Sequence, residues 1–175
     1  MKVKESQVKY LAGQVNHARC LEPVGKCLIQ HLMVPKIYFE RSWAKIYRPD
    51  VIAVDRAGTG DIHVVEIKQM LKEALELAEK VMLIPAHYKW VAYQGEGLRE
   101  PDVKSARELL SQRPLLPDAG MGRVGVIEVI QMEGNNLGAR IRLNAERFKA
   151  EGIWKMADKF VGKEEADYEY REERE

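Results

Sequence analysis

Three residues stand at a spacing that could do chemistry: Asp50, Glu66 and Lys68. Side chains alternate across a β-strand, so Glu66 and Lys68, two apart, share a face about 7 Å apart along the chain. They end an apolar run, Ile62-His63-Val64-Val65-Glu66-Ile67-Lys68. Charges there need a partner or a task, because burying them alone is costly. Asp50 opens the preceding apolar run, Pro49-Asp50-Val51-Ile52-Ala53-Val54-Asp55. A hairpin between the two runs would bring two carboxylates together beside one ammonium. Carboxylate oxygens are the ligands of hard divalent cations such as magnesium. A cation there would polarise a phosphate and lower the pKa of bound water, while the ammonium could orient that water or stabilise developing charge. The competing reading makes Glu66 and Lys68 an ordinary ion pair at the end of a sheet.

The elements needed to position these residues can be read from the pattern. Residues 6–33 read as helical with a break near Glu22-Pro23, since proline suits a helix's first turn and an acid suits its N-terminus. Strands follow over 37–44, 49–55 and 62–68, the last two joined through a turn at Gly58-Thr59-Gly60-Asp61. Both of these runs are almost wholly apolar, which predicts cover on both faces. From Leu71 to Leu83 the apolar residues Leu71, Ala74, Leu75, Ala78, Val81 and Met82 form one stripe, which predicts a helix. Tyr88 to Tyr93 reads as a strand whose aromatics belong in a core. Asp102 is placed to cap a helix running to Gln112. A late hairpin is expected over 124–132 and 139–143, with helix resuming near Ala145 or Gly152. Helix, three strands, helix and strand in that order predict an α/β sandwich with a mixed sheet.

The segment Arg48-Pro49-Asp50, an apolar strand, a glycine turn and Val65-Glu66-Ile67-Lys68 resembles the signature of the PD-(D/E)xK nuclease superfamily. The resemblance covers roughly residues 20–95. It implies a restriction-endonuclease-like three-layer sandwich with an α-β-β-β-α-β core, and Mg2+- or Mn2+-dependent cleavage of phosphodiester bonds in DNA. It makes Asp50 and Glu66 metal ligands, with the Ile67 carbonyl as a further ligand and Lys68 beside them. Many members add an acid on the helix before the first strand. Glu22 stands in a comparable place, and Glu40, in the first strand, is its competitor. Some members of the superfamily have lost activity, so the alternative is an inactive nuclease-fold module for nucleic-acid binding or protein assembly.

Composition sets wider bounds. The chain has 175 residues, enough for one compact domain, here residues 1–162, followed by an acidic tail over 163–175. That tail holds seven acids and three bases, leaving +5 on the rest of a chain whose net charge is +1. The tail reads as a solvated or disordered end, and the modest positive body is compatible with a DNA partner without requiring one. No apolar run reaches the roughly 20 residues of a membrane span, and the polar N-terminus has no signal-like apolar stretch, so a cytoplasmic protein is expected. Cys20 and Cys27 lack zinc-like histidine partners and read as buried thiols. His63 is expected beneath a helix, away from Glu66. Arg41, Lys45 and Arg48 could touch phosphates or simply be solvated. Gln69 reads as a helix cap. A homodimer is plausible for cutting two strands.

Overall fold

A computed structural model describes residues 5–32, 36–55, 60–95, 122–134 and 136–169. Helix α1 (Glu5–Leu32) leads into the strands β1 (Lys36–Phe39), β2 (Val51–Val54) and β3 (Ile62–Lys68). Helix α2 (Leu71–Val81), strands β4 (Tyr88–Gln94), β5 (Gly125–Gln131) and β6 (Leu137–Leu143), helix α3 (Ile153–Val161) and the short β7 (Tyr168–Glu169) complete it. The strands form one sheet in the order β6-β5-β4-β3-β2-β1-β7. β1, β2 and β3 are an antiparallel meander, β3-β4-β5 run parallel, and β6 returns antiparallel. The expected α/β fold with a mixed sheet is therefore present.

Strand alternation sorts the core into two faces. Val51, Ala53, Val65, Ile67, Trp90, Ala92, Ile127 and Val129 meet Cys20, Val24, Cys27 and Leu28 of α1. On the other face, Ile52, Val54, Ile62 and Val64 pack on Ile153 and Ala157 of α3, while Val91, Tyr93 and Val126 pack on Leu71, Ala74, Ala78 and Val81 of α2. β2 is wholly buried and β3 nearly so, as their apolar runs require. His63 lies on the α1 side, stacked on Tyr88 at 4.5 Å and accepting a 3.4 Å hydrogen bond from Trp90. Both cysteines are buried free thiols, and burial pushes Cys20 up to about 11.

Several boundaries differ from the sequence reading. α1 runs unbroken through Pro23. A proline inside a helix forfeits one backbone hydrogen bond, and here the adjoining Val24, Cys27 and Leu28 are buried against the sheet, which holds the helix together across the gap. The first strand ends at Phe39 and not Ala44, because Glu40 (φ 50°), Ala44 (φ 50°) and Lys45 (φ 70°) take left-handed backbone angles. Trp43 and Tyr47 close that turn with reciprocal backbone hydrogen bonds of 2.7 and 3.0 Å. Met70, not Gln69, is the N-cap of α2, and its N–H donates to Glu73 at 3.2 Å. The expected free tail docks in part: the Asp167 N–H donates to the Ile37 carbonyl, Asp167 Oδ2 accepts the Phe39 N–H at 2.7 Å, and β7 pairs with β1. This covers the outer edge of β1, where unpaired backbone would otherwise be exposed. The helix expected over 102–112 lies outside the described residues.

Lys89 is buried on β4, where its ammonium donates to the Met82 carbonyl at the end of α2 and stands 4.4 Å from the centre of the Phe148 ring. Burial lowers its pKa to about 8. The folded state thus releases this proton earlier than the unfolded chain, whose lysine titrates near 10.4. The stability this group contributes is complete above about pH 10.4 and is lost as pH falls through about 8. Lys89→Met is expected to remove that dependence. Between pH 7 and 10.5 the wild-type-minus-variant difference in urea unfolding free energy should change by about 3 kcal/mol, the wild type gaining as pH rises.

Candidate active site

The strand register brings the three sequence-selected residues together. Val51 pairs with Val65 across β2 and β3, and Phe39 pairs with Val51 across β1 and β2. One step beyond those pairs stand Glu40, Asp50 and Glu66, at the same level on three adjacent strands. The join is made by hydrogen bonds: the Glu40 N–H donates to the Asp50 carbonyl at 2.9 Å, and the Ile67 N–H donates to Asp50 Oδ2 at 2.6 Å. Asp50 therefore lies against the backbone between Glu66 and Lys68. The sharp approach is set by Pro49 and by Arg48, whose Nε donates to the Glu40 carbonyl at 3.0 Å.

The second carboxylate oxygen of Asp50 faces α1. His17 Nε2 stands 3.3 Å from Asp50 Oδ1. The hydrogen bond to Asp50 raises the imidazole's pKa, helped by the charges of Asp50 and Glu40 and opposed by burial and by Lys68. His17, Glu40 and Asp50 each place one ligand atom within 4.8 Å of the others, a cluster able to hold a metal ion. Glu66 sits beside it, half-buried. Its pKa is raised to about 7, first by burial and then by the Asp50 charge, while Lys68 and His17 pull it down. Glu66 is thus a carboxyl perturbed by burial and by a neighbouring carboxylate, and such groups occur at functional sites as well as in structural ion-pair networks.

Asp50, Glu66, Lys68 and the Ile67 backbone are thus neighbours. Glu22 is not brought among them: it is exposed, pairs with Lys26 at 2.7 Å, and lines a groove with Arg19, Asn136 and Leu137. Its competitor Glu40 joins the cluster. His17 was missed by the sequence reading, yet a signal existed. An unbroken α1 puts residues 17, 20, 24, 27 and 28 on one face, and Cys20, Val24, Cys27 and Leu28 are the residues it buries on the sheet. His17 extends that face by one turn, which carries it to Asp50. Of the nearby bases, Arg41 is engaged with Asp167 at 3.1 Å and Glu164 at 3.5 Å, so the structure does not present it as an open phosphate contact. Lys45 is exposed.

No family model and no curated protein matches the sequence. A solved structure of a protein of unknown function from Silicibacter pomeroyi is similar, with a TM-score of 0.53 and 21% identity, covering 86% of this chain and 84% of that one. That likeness is one of fold.

Proposed function

We propose that this protein is a divalent-metal-dependent endonuclease that hydrolyses phosphodiester bonds in DNA, with a restriction-endonuclease-like core. The observation that carries the reading is Asp50 hydrogen-bonded to the backbone between Glu66 and Lys68, and grouped with His17 and Glu40, one ligand atom from each lying within 4.8 Å of the others. The element order α1-β1-β2-β3-α2-β4 is the order the PD-(D/E)xK resemblance implies.

Asp50 and Glu66 would hold Mg2+ or Mn2+, with the Ile67 carbonyl as the further ligand that the resemblance implies and with His17 and Glu40 within reach. The metal, when bound, supplies a polarised phosphate and a water of lowered pKa. Asp50 is held in place by the Ile67 N–H, so it meets a cation without reorganising. Lys68 provides a positive charge on the Glu66 face of β3, where it can orient the attacking water or stabilise negative charge on the phosphate oxygens. Glu66, with a pKa near 7, exchanges a proton readily at neutral pH, and a cation favours its ionised form.

Incubation of the full chain with supercoiled plasmid and with a branched DNA, in Mg2+, Mn2+ or chelator, tests the reading. Cleavage that requires metal is the expected outcome. If folded, metal-supplied protein leaves both DNAs intact, the endonuclease reading gives way to a non-catalytic module on the same fold.

A further inference from the structure

We infer that Arg48 holds the DNA at this site: its guanidinium binds a backbone phosphate next to the one that is cut, on the β1 side of Asp50. This rests on the endonuclease reading and names how its substrate is gripped.

The stretch from Glu40 to Asp50 joins β1 to β2 and carries three basic residues, Arg41, Lys45 and Arg48. The fold sends them to different places. Arg41 is committed to Glu164 and Asp167. Lys45 stands in the turn that Trp43 and Tyr47 close. Arg48 stays at the site. It is two residues from Asp50, a Cα separation of about 7 Å at most, and its Nε donates to the Glu40 carbonyl at 3.0 Å. The Glu40 N–H donates in turn to the Asp50 carbonyl at 2.9 Å, and the Glu40 carboxylate belongs to the cluster with His17 and Asp50. Glu40 also takes a left-handed φ of 50°, a strained conformation of the kind that gathers at functional sites. One residue thus ties the guanidinium to the acids.

The backbone bond occupies Nε, and among the described residues Arg48 makes no other hydrogen bond and no ion pair. Its two terminal nitrogens are left for a ligand, and arginine's planar fork suits phosphate. Because the bond to Glu40 fixes the plane of the fork, less freedom is lost on binding. Arg48 and Glu40 are exposed, and Asp50, Glu66 and Lys68 are partly so, which leaves the path across this end of the sheet open. Cations flank the acids along it, Lys68 on β3 and Arg48 beyond Glu40 on the β1 side. Two interstrand steps cover roughly 10 Å, over which one strand of a duplex carries about three phosphates. A strand laid along this path sets one phosphate over the acids and a neighbouring one against Arg48.

The test is nicking of supercoiled plasmid in Mn2+ by the full chain as wild type, Arg48→Gln and Arg48→Lys, across plasmid and salt concentration. Mn2+ affinity and thermal unfolding are measured alongside. Arg48→Gln should raise KM about tenfold, as loss of one charged hydrogen-bonding group does, with most of the fall in kcat/KM lying in KM. The slope of log KM against log salt should fall by about 1, the value of one phosphate contact. Arg48→Lys keeps the charge, so it should keep the slope while losing part of the affinity. Both variants should bind Mn2+ and melt close to the wild type. A folded Arg48→Gln chain whose KM and salt slope match the wild type overturns the inference. So does one that loses Mn2+ affinity and kcat with its slope unchanged, since Arg48 then serves to hold Glu40 in the metal cluster. In both cases the wild type still cuts and the endonuclease reading stands. A wild-type chain that leaves DNA intact overturns that reading and the inference with it.

Discussion

Asp50→Asn is expected to lower metal-dependent DNA cleavage by about 10³-fold or more while leaving the fold in place. The asparagine has one carboxamide oxygen, and the Ile67 N–H, 2.6 Å from Asp50 Oδ2, can claim it. What is lost is the negative charge and the second oxygen, the two properties a hard cation needs. Asp50→Ala should be worse in a different way. It leaves the partly buried Ile67 N–H without an acceptor, which costs about 1–3 kcal/mol, and it removes the partner of His17. The pair of variants separates metal binding from scaffolding. Calorimetric titration of Mn2+ should show no binding for either, while urea unfolding should show a clear loss of stability for the alanine variant alone. Tight Mn2+ binding by Asp50→Asn would remove Asp50 from the ligand set.

Glu66→Gln is expected to stabilise the metal-free protein and to disable it. Burial and the Asp50 charge hold the Glu66 carboxyl near pH 7, against about 4.3 in an unfolded chain. A group with a raised pKa contributes stability that is fully present below its unfolded value and is lost as pH rises through the folded one. At pH 8 the wild type therefore carries a half-buried carboxylate beside another carboxylate, and glutamine has no such cost. The gain at pH 8 should be about 2 kcal/mol after allowance for partial exposure, or roughly 4–8 °C in Tm for a chain of this size. At pH 5, where the folded Glu66 is protonated and the unfolded one is already largely ionised, the gap should fall to about a third of its pH 8 value. Thermal unfolding in chelator at both pH values reads this directly. Equal destabilisation at pH 5 and pH 8 would show that the Glu66 carboxyl is a structural hydrogen-bonding group. A stabilised variant that no longer cleaves is the pattern of a residue kept for chemistry at the expense of stability.

The parts of the fold written in short-range periodicity were legible. The third strand, Ile62 to Lys68, matches β3 residue for residue, and the stripe from Leu71 predicts α2 to within its last turn. Two dense apolar runs joined by a glycine turn can do little but pair, yet the register that sets Asp50 against Glu66 is fixed by the strand pairing and not by residue spacing. What was not legible depended on tertiary contacts. The sequence reading broke α1 at Pro23, because proline is costly in an isolated helix. The sheet beneath Val24, Cys27 and Leu28 supplies the cohesion that a local rule omits. That one difference moved attention to Glu22 and hid His17, since the helical face leading to Asp50 exists only if the helix is continuous. The left-handed angles of Glu40, Ala44 and Lys45 were likewise invisible in residue types that favour neither glycine nor asparagine. The docking of Asp167 on β1 joins residues 128 apart, and an acidic run gives no hint of which backbone it will meet.

The central claim, that Asp50, Glu66 and Lys68 form a metal-dependent phosphodiesterase site, is tested most directly by nicking of supercoiled plasmid in Mn2+ by wild type and Lys68→Ala side by side. Lys68 is half-exposed at the end of β3 and belongs to none of the three buried core clusters, so its loss should leave the melting temperature and Mn2+ affinity close to those of the wild type. The account predicts nicking by the wild type that chelator abolishes, and a rate for Lys68→Ala lower by about 10³-fold. Nicking by Lys68→Ala at the wild-type rate, with the same dependence on metal, would contradict it.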